Sequence, residues 1–394
     1  MPKLAIIQLD DYNRDELLIG MRAAFNQLNL TDVIKPDEQI VIKPNLLSAL
    51  APDRAVTSHP EVFRALVACL RDLGSNISYG DSPAIDSTEK AARASGLMAM
   101  ADELQVPLAD FITVVETPMP AGKVMRQIPL AKGVADADGL VSLSKLKTHA
   151  LTGMTGAIKN QFGVIPGQLK AACHVKYPEM DDFAQMLVDI NRFLMPRLYV
   201  MDAIVAMEGN GPRNGHPRKV GAVLLSVDPV AIDAAGSMLM TIDPAAIRTT
   251  CLAQQSGLGS MDLAAIEACL IQIEKGAATI KNGTAAELLH ALQVKDFIKG
   301  RIARTVFTRL TSYSAPVFKK HIMRRPAINP NTCIKCGICV DACPVAPKVL
   351  SQAAKTETPT FAYARCIRCY CCQEVCPVGA IDVHVTPIGH MIGL

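Results

Sequence analysis

Eight cysteines near the end of the chain follow two copies of one spacing, C-x2-C-x2-C-x3-C, and each copy is followed by proline. They are Cys333, Cys336, Cys339 and Cys343 in the first copy, and Cys366, Cys369, Cys372 and Cys376 in the second. Three thiolates at this spacing let one loop wrap a metal cluster, while the fourth leaves on the next element. Nine of the 13 cysteines fall in this stretch. In a chain expected to be cytoplasmic, such crowding favours metal ligation over disulfides.

The tail from residue 328 to residue 394 resembles a bacterial ferredoxin with two 4Fe-4S clusters. In such proteins the fourth cysteine of each copy serves the other cluster. The resemblance therefore implies one cluster on Cys333, Cys336, Cys339 and Cys376, and a second on Cys343, Cys366, Cys369 and Cys372. Structural zinc, which also uses C-x2-C pairs, is the alternative, but triplets followed by a single cysteine and a proline fit it poorly. Clusters of this kind transfer single electrons.

The remaining cysteines are not placed as ligands. Cys371 aligns with Ile338 of the first copy, which predicts an apolar packing position. The others are scattered through the rest of the chain and are expected to be small buried apolar residues; they are Cys69, Cys173, Cys251 and Cys269.

Length and charge limit the class of protein. A chain of 394 residues predicts two or three domains. The net charge of +3 is concentrated between Lys295 and Arg325, which hold nine Lys or Arg and one Asp. Nucleic-acid binding is not indicated, because such proteins usually carry their charge on a folded face with aromatic partners. The start lacks a secretory leader and no run is long enough to span a membrane, so we expect a cytoplasmic protein without a transmembrane segment.

Short apolar runs alternate with helical patterns through the first half of the chain. This alternation predicts an α/β domain with a mostly parallel sheet and flanking helices. The predicted boundaries are residues 1–283 for this large domain, 284–327 for a basic helical connector, and 328–394 for a small α+β ferredoxin-like domain that holds two clusters. Within the large domain, Asp228 is expected to cap the helix that begins at Pro229.

Six motifs within residues 39–240 carry a second resemblance. They are "VIKPNLLS", "TSHPEVFRAL", "GDSP", "SKLKTHALTGMTGAIKNQFG", "MDAIVAMEGNGP" and "SVDPVAIDA". Together they resemble the iron-sulfur-associated family named domain of unknown function 362, which is often fused to a ferredoxin module. The resemblance implies an association with iron-sulfur redox chemistry, and it implies no particular reaction or substrate.

Several polar residues follow predicted strands of the large domain. Because ligands bind beyond the carboxyl ends of strands in open parallel sheets, these residues are expected to share one crevice. The lysines would give that crevice a positive potential, which favours a phosphate or carboxylate. The candidate catalytic residues are Lys147, His149, Asp81 and Lys159; the candidate substrate-binding residues are Lys43, Asn45, Ser82, Lys145, Thr148 and Asn160. The alternative is that these lysines are solvated surface charges.

Other polar residues have competing interpretations. His149, beside lysines, is suited to be a neutral proton acceptor or metal ligand, or it is satisfied by the backbone. His59 precedes Pro60 at a helix start, where capping or packing is favoured over catalysis. Asp202 and Glu208 could bind a cation. The nucleotide-binding patterns G-x-G-x-x-G and P-loop do not occur, nor does G-x-S-x-G; flavin has no compulsory motif and stays open as a third cofactor.

Two functions follow from these features. In the first, the chain is an iron-sulfur oxidoreductase that takes electrons from a soluble partner protein and passes them to an anionic substrate or cofactor at the strand ends. In the second, the chain is a non-enzymatic electron carrier whose large domain docks a redox partner. The basic connector, with Arg301, Arg304, Arg324 and Arg325, would then recognise an acidic surface; a solvated linker is the alternative for these residues.

Overall fold

The computed structural model describes residues 3–299 and 324–385. The strands of the large domain are β1 Leu4–Gln8, β2 Gln39–Pro44, β3 Asn76–Tyr79, β4 Val114–Pro118, β5 Gln127–Ala131, β6 Gly139–His149, β7 Gly153–Thr155, β8 Leu198–Glu208, β9 His216–Ser226, β10 Glu267–Glu274 and β11 Ala277–Thr284. Its helices are α1 Arg14–Gln27, α2 Pro60–Asp72, α3 Thr88–Ala94, α4 Leu97–Glu103, α5 Lys132–Ala135, α6 Ala157–Asn160, α7 Leu169–Lys176, α8 Met180–Leu194, α9 Pro229–Leu239, α10 Arg248–Gln255 and α11 Ala285–His290.

One large sheet organises this domain, with the strand order β11-β10-β1-β9-β8-β6-β2-β3 and β7 paired to β6. The pairs β2–β3, β2–β6, β6–β8 and β1–β10 are parallel. Strand β9 runs against both of its neighbours, and β11 and β7 run against β10 and β6. The sheet is therefore mixed, with most of its strands in one direction, and the predicted α/β class with a mostly parallel sheet is confirmed.

Helices cover both faces of the sheet, because successive side chains of a strand point to opposite faces. In β1, Ala5 and Ile7 pack into one apolar cluster together with residues of α1 and α2. Leu4 and Ile6 pack into a second cluster with residues of α9 and α11. The two-sided core leaves the ends of the strands as the place where polar groups can gather.

Local capping agrees with the sequence. Asp228 accepts hydrogen bonds from the backbone N–H groups of Val230 and Ala231 at the start of α9, which confirms it as the cap. His59 precedes α2, and its side chain accepts from the N–H of Glu61, so its predicted capping role is also confirmed. The four scattered cysteines are buried, as predicted.

The small domain is built from short elements: β12 Arg325–Ile328, α12 Ile338–Asp341, β13 Leu350–Ser351, β14 Thr360–Phe361, α13 Cys371–Val375 and β15 Ile381–His384. Strand β12 pairs with β15 and β13 pairs with β14, both antiparallel. Much of the predicted basic connector, including Arg301 and Arg304, lies outside the described residues. Its first part, through Phe297, packs into the core of the large domain.

Candidate functional site

A buried polar network joins the ends of β2 and β3 to the short helix α6. The ammonium group of Lys43 lies 2.7 Å from Asp81 Oδ1, 3.2 Å from Asn160 Oδ1 and 3.1 Å from the carbonyl oxygen of Pro44. Asn160 also accepts a hydrogen bond from Asn45 Nδ2 at 3.3 Å. The structure therefore brings Lys43, Asn45, Asp81 and Asn160, which come from distant parts of the sequence, into one contact group.

Strand β6 adds a second lysine to this network. Lys147 is fully buried, and its Nζ donates to Asn45 Oδ1 at 2.8 Å and to the carbonyl oxygen of Val56 at 2.7 Å. In the hairpin formed by β6 and β7, Lys147 is paired with Thr155. Side chains of paired residues lie on the same face of a sheet, so Thr155 and Lys147 are neighbours.

A cavity of about 630 Å³ lies between this edge of the sheet and the small domain. From the large domain its polar wall residues are Lys43, Asn45, Asp81, Ser82, Lys147, His149, Thr155, Lys159, Asn160, Gln168, Lys170 and His174. From the small domain it is lined by residues that include Ile338, Asp341, Cys343, Cys371, Glu374 and Val375. A cavity of this size accommodates a small organic molecule.

Four lysines give the cavity its electrostatic character. Burial lowers the pKa of Lys43, Lys147 and Lys159, because an ammonium group loses its hydration there. The pKa of Lys170 falls to about 7 for the same reason, although Asp81 opposes the shift. An anion placed beside such a buried lysine stabilises its charged ammonium form.

His149, at the end of β6, contacts the small domain. Its Nδ1 accepts hydrogen bonds from the N–H groups of Leu151 and Thr152 at 3.1 and 3.3 Å, so the proton of the neutral ring lies on Nε2. Nε2 lies 3.2 Å from Glu374 Oε1. Burial, together with Lys159, lowers the pKa of His149 to about 4, and the imidazole is therefore neutral at physiological pH. This geometry is consistent with both interpretations of His149: its ring is neutral, and the ring is hydrogen-bonded to the backbone.

Helix α7 supplies wall residues that the sequence analysis did not select. Lys170 donates to Ser82 Oγ at 2.9 Å and to the carbonyl oxygen of Ile165 at 2.8 Å. His174, one turn later, stacks on Phe183 with ring centroids 4.5 Å apart. The spacing of Lys170 and His174 at i and i+4, in a segment next to "IKNQFG", is the sequence signal that could have identified them.

Two of the predicted residues lie outside the cavity wall. Lys145 bonds to Asp202 Oδ2 at 2.8 Å and to the hydroxyl of Tyr12 at 2.9 Å; Lys145 and Asp202 are paired residues of β6 and β8, so their side chains are neighbours. Tyr12 stacks on His59, with centroids 3.5 Å apart. The Thr148 hydroxyl donates to the carbonyl oxygen of Gly209 at 3.0 Å.

The acids proposed for a cation have other partners. Asp202 is bound by Lys145 and Tyr12, and Glu208 accepts from the N–H of Ile298 at 2.9 Å. Over residues 3–299 and 324–385, no three His, Cys, Asp or Glu side chains lie closely enough together to hold a single metal ion. None of the helices in these two ranges is long and apolar enough to cross a bilayer.

The eight cysteines of the repeated spacing surround two small cavities in the small domain. Cys333, Cys336, Cys339 and Cys376 line one, and Cys343, Cys366, Cys369 and Cys372 line the other. Each set therefore combines three cysteines of one copy with the last cysteine of the other copy. Thiolates spread around a cavity fit a cluster of several metal atoms better than one ion, so the residues present fit 4Fe-4S clusters.

Cys371 differs from its predicted position in the apolar core. It lines the large cavity together with Glu374 and Val375, which lie three and four residues later on the same face of α13. Ile338, with which Cys371 aligns, lines the cavity as well. Because α13 turns this face towards the large domain, the aligned positions contact the cavity instead of the small core.

A loop of the large domain holds the small domain in place. Arg213 donates to the carbonyl oxygen of Cys376 at 2.9 Å, and Asn214 donates to the same oxygen at 3.1 Å. The side-chain amide of Gln373 donates to the carbonyl oxygen of Gly211 at 3.1 Å. The side chains of this segment, residues 208–215, therefore bind backbone atoms around Cys376.

Comparison with known proteins agrees with this two-part organisation. Residues 40–238 match the family model described as Domain of unknown function (DUF362). Residues 332–380 match the model of a 4Fe-4S dicluster domain, which supports iron-sulfur electron transfer as the chemistry of the small domain.

Three individual proteins show similarity to the chain. The "Thylakoid-associated protein sll1697" of Synechocystis sp. is 32% identical over 237 residues, which cover 58% of this chain and 72% of that protein. The lactate racemase apoprotein of Thermoanaerobacterium thermosaccharolyticum matches with 11% identity and a TM-score of 0.40, over 60% of this chain and 56% of its own. A Thermotoga maritima crystal structure matches with 13% identity and a TM-score of 0.28, over 72% and 58%. The chain thus spans little more than half of each of these two structures.

The motifs along the strand ends and the match over residues 40–238 concern the same large domain. This chain therefore belongs to the family of the domain of unknown function DUF362, with a 4Fe-4S domain following it.

Proposed function

We propose that the chain is an iron-sulfur oxidoreductase that holds two 4Fe-4S clusters and passes their electrons to an anionic acceptor bound in the cavity. The observation that carries this proposal is the composition of the cavity wall. Cys343, one of the cysteines predicted to bind a cluster, lines the same cavity as Lys147, Lys159 and Lys170. An acceptor in that cavity would be close to a cluster ligand and surrounded by cations.

The clusters supply single electrons when bound, and the chain's own residues serve the acceptor. Cys333, Cys336, Cys339 and Cys376 would hold one cluster, and Cys343, Cys366, Cys369 and Cys372 the other. For each acceptor that takes up two electrons and two protons, two molecules of a soluble one-electron donor protein would be oxidised. The lysines would bind the acceptor's anionic group and stabilise the negative charge that develops on reduction.

Proton transfer fits Lys170 better than His149. A proton donor works best when its pKa is close to the working pH, and the pKa of Lys170 is about 7. His149 is neutral: its Nδ1 accepts backbone N–H groups, and its Nε2 lies 3.2 Å from Glu374 Oε1. We assign His149 the role of holding Glu374, and with it α13, against the large domain. Asp81 holds Lys43 in place.

The alternative is an electron carrier whose large domain docks a redox partner. A docking surface has little need for buried lysines around a cavity, because burying a charge costs free energy unless the charge is paired and hydrogen-bonded. The cytoplasmic location and the identity of the donor protein remain predictions.

Electron delivery to synthetic acceptors of different charge separates the two functions. The anaerobic protein, reduced with dithionite and freed of excess reductant, is mixed with either the dianion anthraquinone disulfonate or a neutral naphthoquinone. Cluster reoxidation is followed by visible absorption. Lys159→Met should slow the reaction with the dianion about tenfold, because one cation near the acceptor is lost, and leave the neutral quinone unaffected.

Lys219→Met is the matched control, since Lys219 is exposed and pairs with Asp10 on the surface. It should change neither rate. Equal rates for the dianion in the wild type and in Lys159→Met would mean that electrons leave elsewhere, and would favour the carrier.

A further inference from the structure

The lysines of the cavity differ in how many of their N–H donors the protein already uses. An ammonium group has three donors. Lys43 has an acceptor for each: Asp81 Oδ1, Asn160 Oδ1 and the carbonyl oxygen of Pro44. Lys43 and Asp81 therefore neutralise each other and form part of the scaffold of the cavity. This restricts ligand binding to the other lysines.

Lys147 and Lys170 each have two acceptors and one remaining donor. Lys147 donates to Asn45 Oδ1 and the carbonyl oxygen of Val56, and Lys170 donates to Ser82 Oγ and the carbonyl oxygen of Ile165. Lys159 has neither a hydrogen bond nor an ion pair with any described residue; its Nζ lies 5.3 Å from the centroid of the Phe162 ring. Five N–H donors on three lysines thus lack an acceptor from the described part of the protein.

Thr155 adds a sixth donor beside them. Its side chain lines the cavity and is paired across the hairpin with Lys147. Its Oγ1 is buried and has no hydrogen-bond partner within the described chain. A buried hydroxyl without a partner is costly, and such groups in folded proteins call for an explanation.

The charge balance of this group indicates the charge of its ligand. Among the acids in the cavity wall, Asp81 is paired with Lys43, Asp341 lies 3.6 Å from Lys348, and Glu374 lies beside His149. Lys147, Lys159 and Lys170 carry three positive charges when protonated, against one from Glu374. A ligand with two negative charges would balance them.

We propose that Lys147, Lys159, Lys170 and Thr155 form a subsite for a small dianion with several acceptor oxygens, either a phosphate group or a dicarboxylate. This inference rests on the proposed function, because it names the part of the cavity that binds the acceptor. Binding brings protons with it: a dianion next to Lys170 favours the ammonium form, and near pH 8 that lysine is largely deprotonated without the anion because its pKa is about 7.

Calorimetry on the oxidised, cluster-loaded full chain tests this without any electron transfer. Inorganic phosphate and succinate are titrated near pH 8 in two buffers that differ in ionisation enthalpy, so that proton uptake is measured directly. We expect one of the two probes to bind with net proton uptake, because the anion favours the ammonium forms of the lysines. Preference for phosphate identifies a phosphate subsite, and preference for succinate identifies a dicarboxylate subsite.

Three variants assign the binding to these residues. The Lys170→Met variant should bind the anion more weakly and with less proton uptake than the wild type. Thr155→Val should weaken binding about tenfold, which corresponds to one hydrogen bond to a charged group, whereas Thr155→Ser keeps the hydroxyl and should bind like the wild type. Lys219→Met again serves as the surface control.

The inference is overturned if neither probe binds at millimolar concentration, or if Thr155→Val and Lys170→Met bind as the wild type does. These outcomes are separate from those of the quinone experiment. If Lys159→Met slows electron transfer to anthraquinone disulfonate but the calorimetric test fails, the proposed function stands and the dianion subsite is refuted.

Discussion

Replacing Asp81 with asparagine removes the negative charge that faces Lys43. The two side chains are 5% and 1% exposed, and the ammonium nitrogen lies 2.7 Å from Asp81 Oδ1. Water therefore cannot take over the role of the carboxylate. Removing one partner of a buried ion pair costs about 3–5 kcal/mol, because the other charge is left without compensation. Asp81 also accepts the N–H groups of Leu46 and Ser82, and asparagine has only one oxygen for both.

We expect the Asp81→Asn variant to lose stability mainly at the edge formed by β2 and β3. Burial already lowers the pKa of Lys43, and Asp81 opposes that shift. In the variant the folded-state pKa falls further below the unfolded value, so the unfolded state binds more protons. The loss of stability therefore grows as the pH falls and shrinks as the pH rises towards the ordinary lysine pKa of 10.5.

Amide hydrogen exchange followed by mass spectrometry, on the anaerobic protein with its clusters, measures this loss without complete unfolding. A loss of about 3 kcal/mol corresponds to more than hundredfold faster exchange in peptides that cover β2 and β3. Asp10→Asn is the control, since Asp10 is exposed and pairs with Lys219 on the surface, and it should leave these rates unchanged.

A double variant tests whether the uncompensated charge is the cause. Lys43→Met combined with Asp81→Asn leaves no lone charge, so it should recover much of the protection that Asp81→Asn loses. Exchange in Asp81→Asn within a factor of a few of the wild type would refute the reasoning. So would a double variant that exchanges as fast as the single one.

Three further predictions concern the clusters, the packing around Asp81 and the pH dependence of stability. Cys343→Ser should lower the iron content of the anaerobically purified protein from about eight to about four atoms per chain, and Cys371→Ser should leave it unchanged; equal iron in both would contradict the ligand assignment. Gly163→Ala would bring a Cβ atom against Asp81 Oδ1 and Lys43 Cε, so it should increase exchange at β2 and β3 as Asp81→Asn does. Because the pKa of Lys170 is about 7 in the folded protein and 10.5 in the unfolded chain, stability should rise with pH between these values, and Lys170→Met should reduce that rise when exchange is measured as a function of pH.

Local sequence patterns were sufficient for much of the fold. The alternation of apolar runs and helical patterns identified β1, α1, β2, α2 and β3 in order, because periodicity reflects which side of each element is buried. The direction of β9 and its insertion between β1 and β8 could not be read in this way. Antiparallel and parallel strands have the same alternation when both faces are covered, so the choice depends on the long-range packing.

The candidate site, like the fold, could be predicted only in part from local sequence patterns. Strand ends and residue types were enough to bring Lys43, Asn45, Asp81 and Asn160 into one predicted group, and the structure joins them by hydrogen bonds. The position of Lys145 could not be predicted, since its contact with Asp202 depends on the pairing register between β6 and β8, which only the tertiary structure sets.

The sequence by itself determined the family, the 4Fe-4S domain and the set of polar residues at the strand ends, because each depends on short spacings that survive in the unfolded chain. Only the tertiary structure decided that the small domain closes the cavity, with Cys343 and Glu374 facing the lysines. It also decided which lysines have remaining donors, Lys159 above all and Lys43 not at all. Those properties depend on which acceptors the fold brings within reach, and no local pattern specifies them.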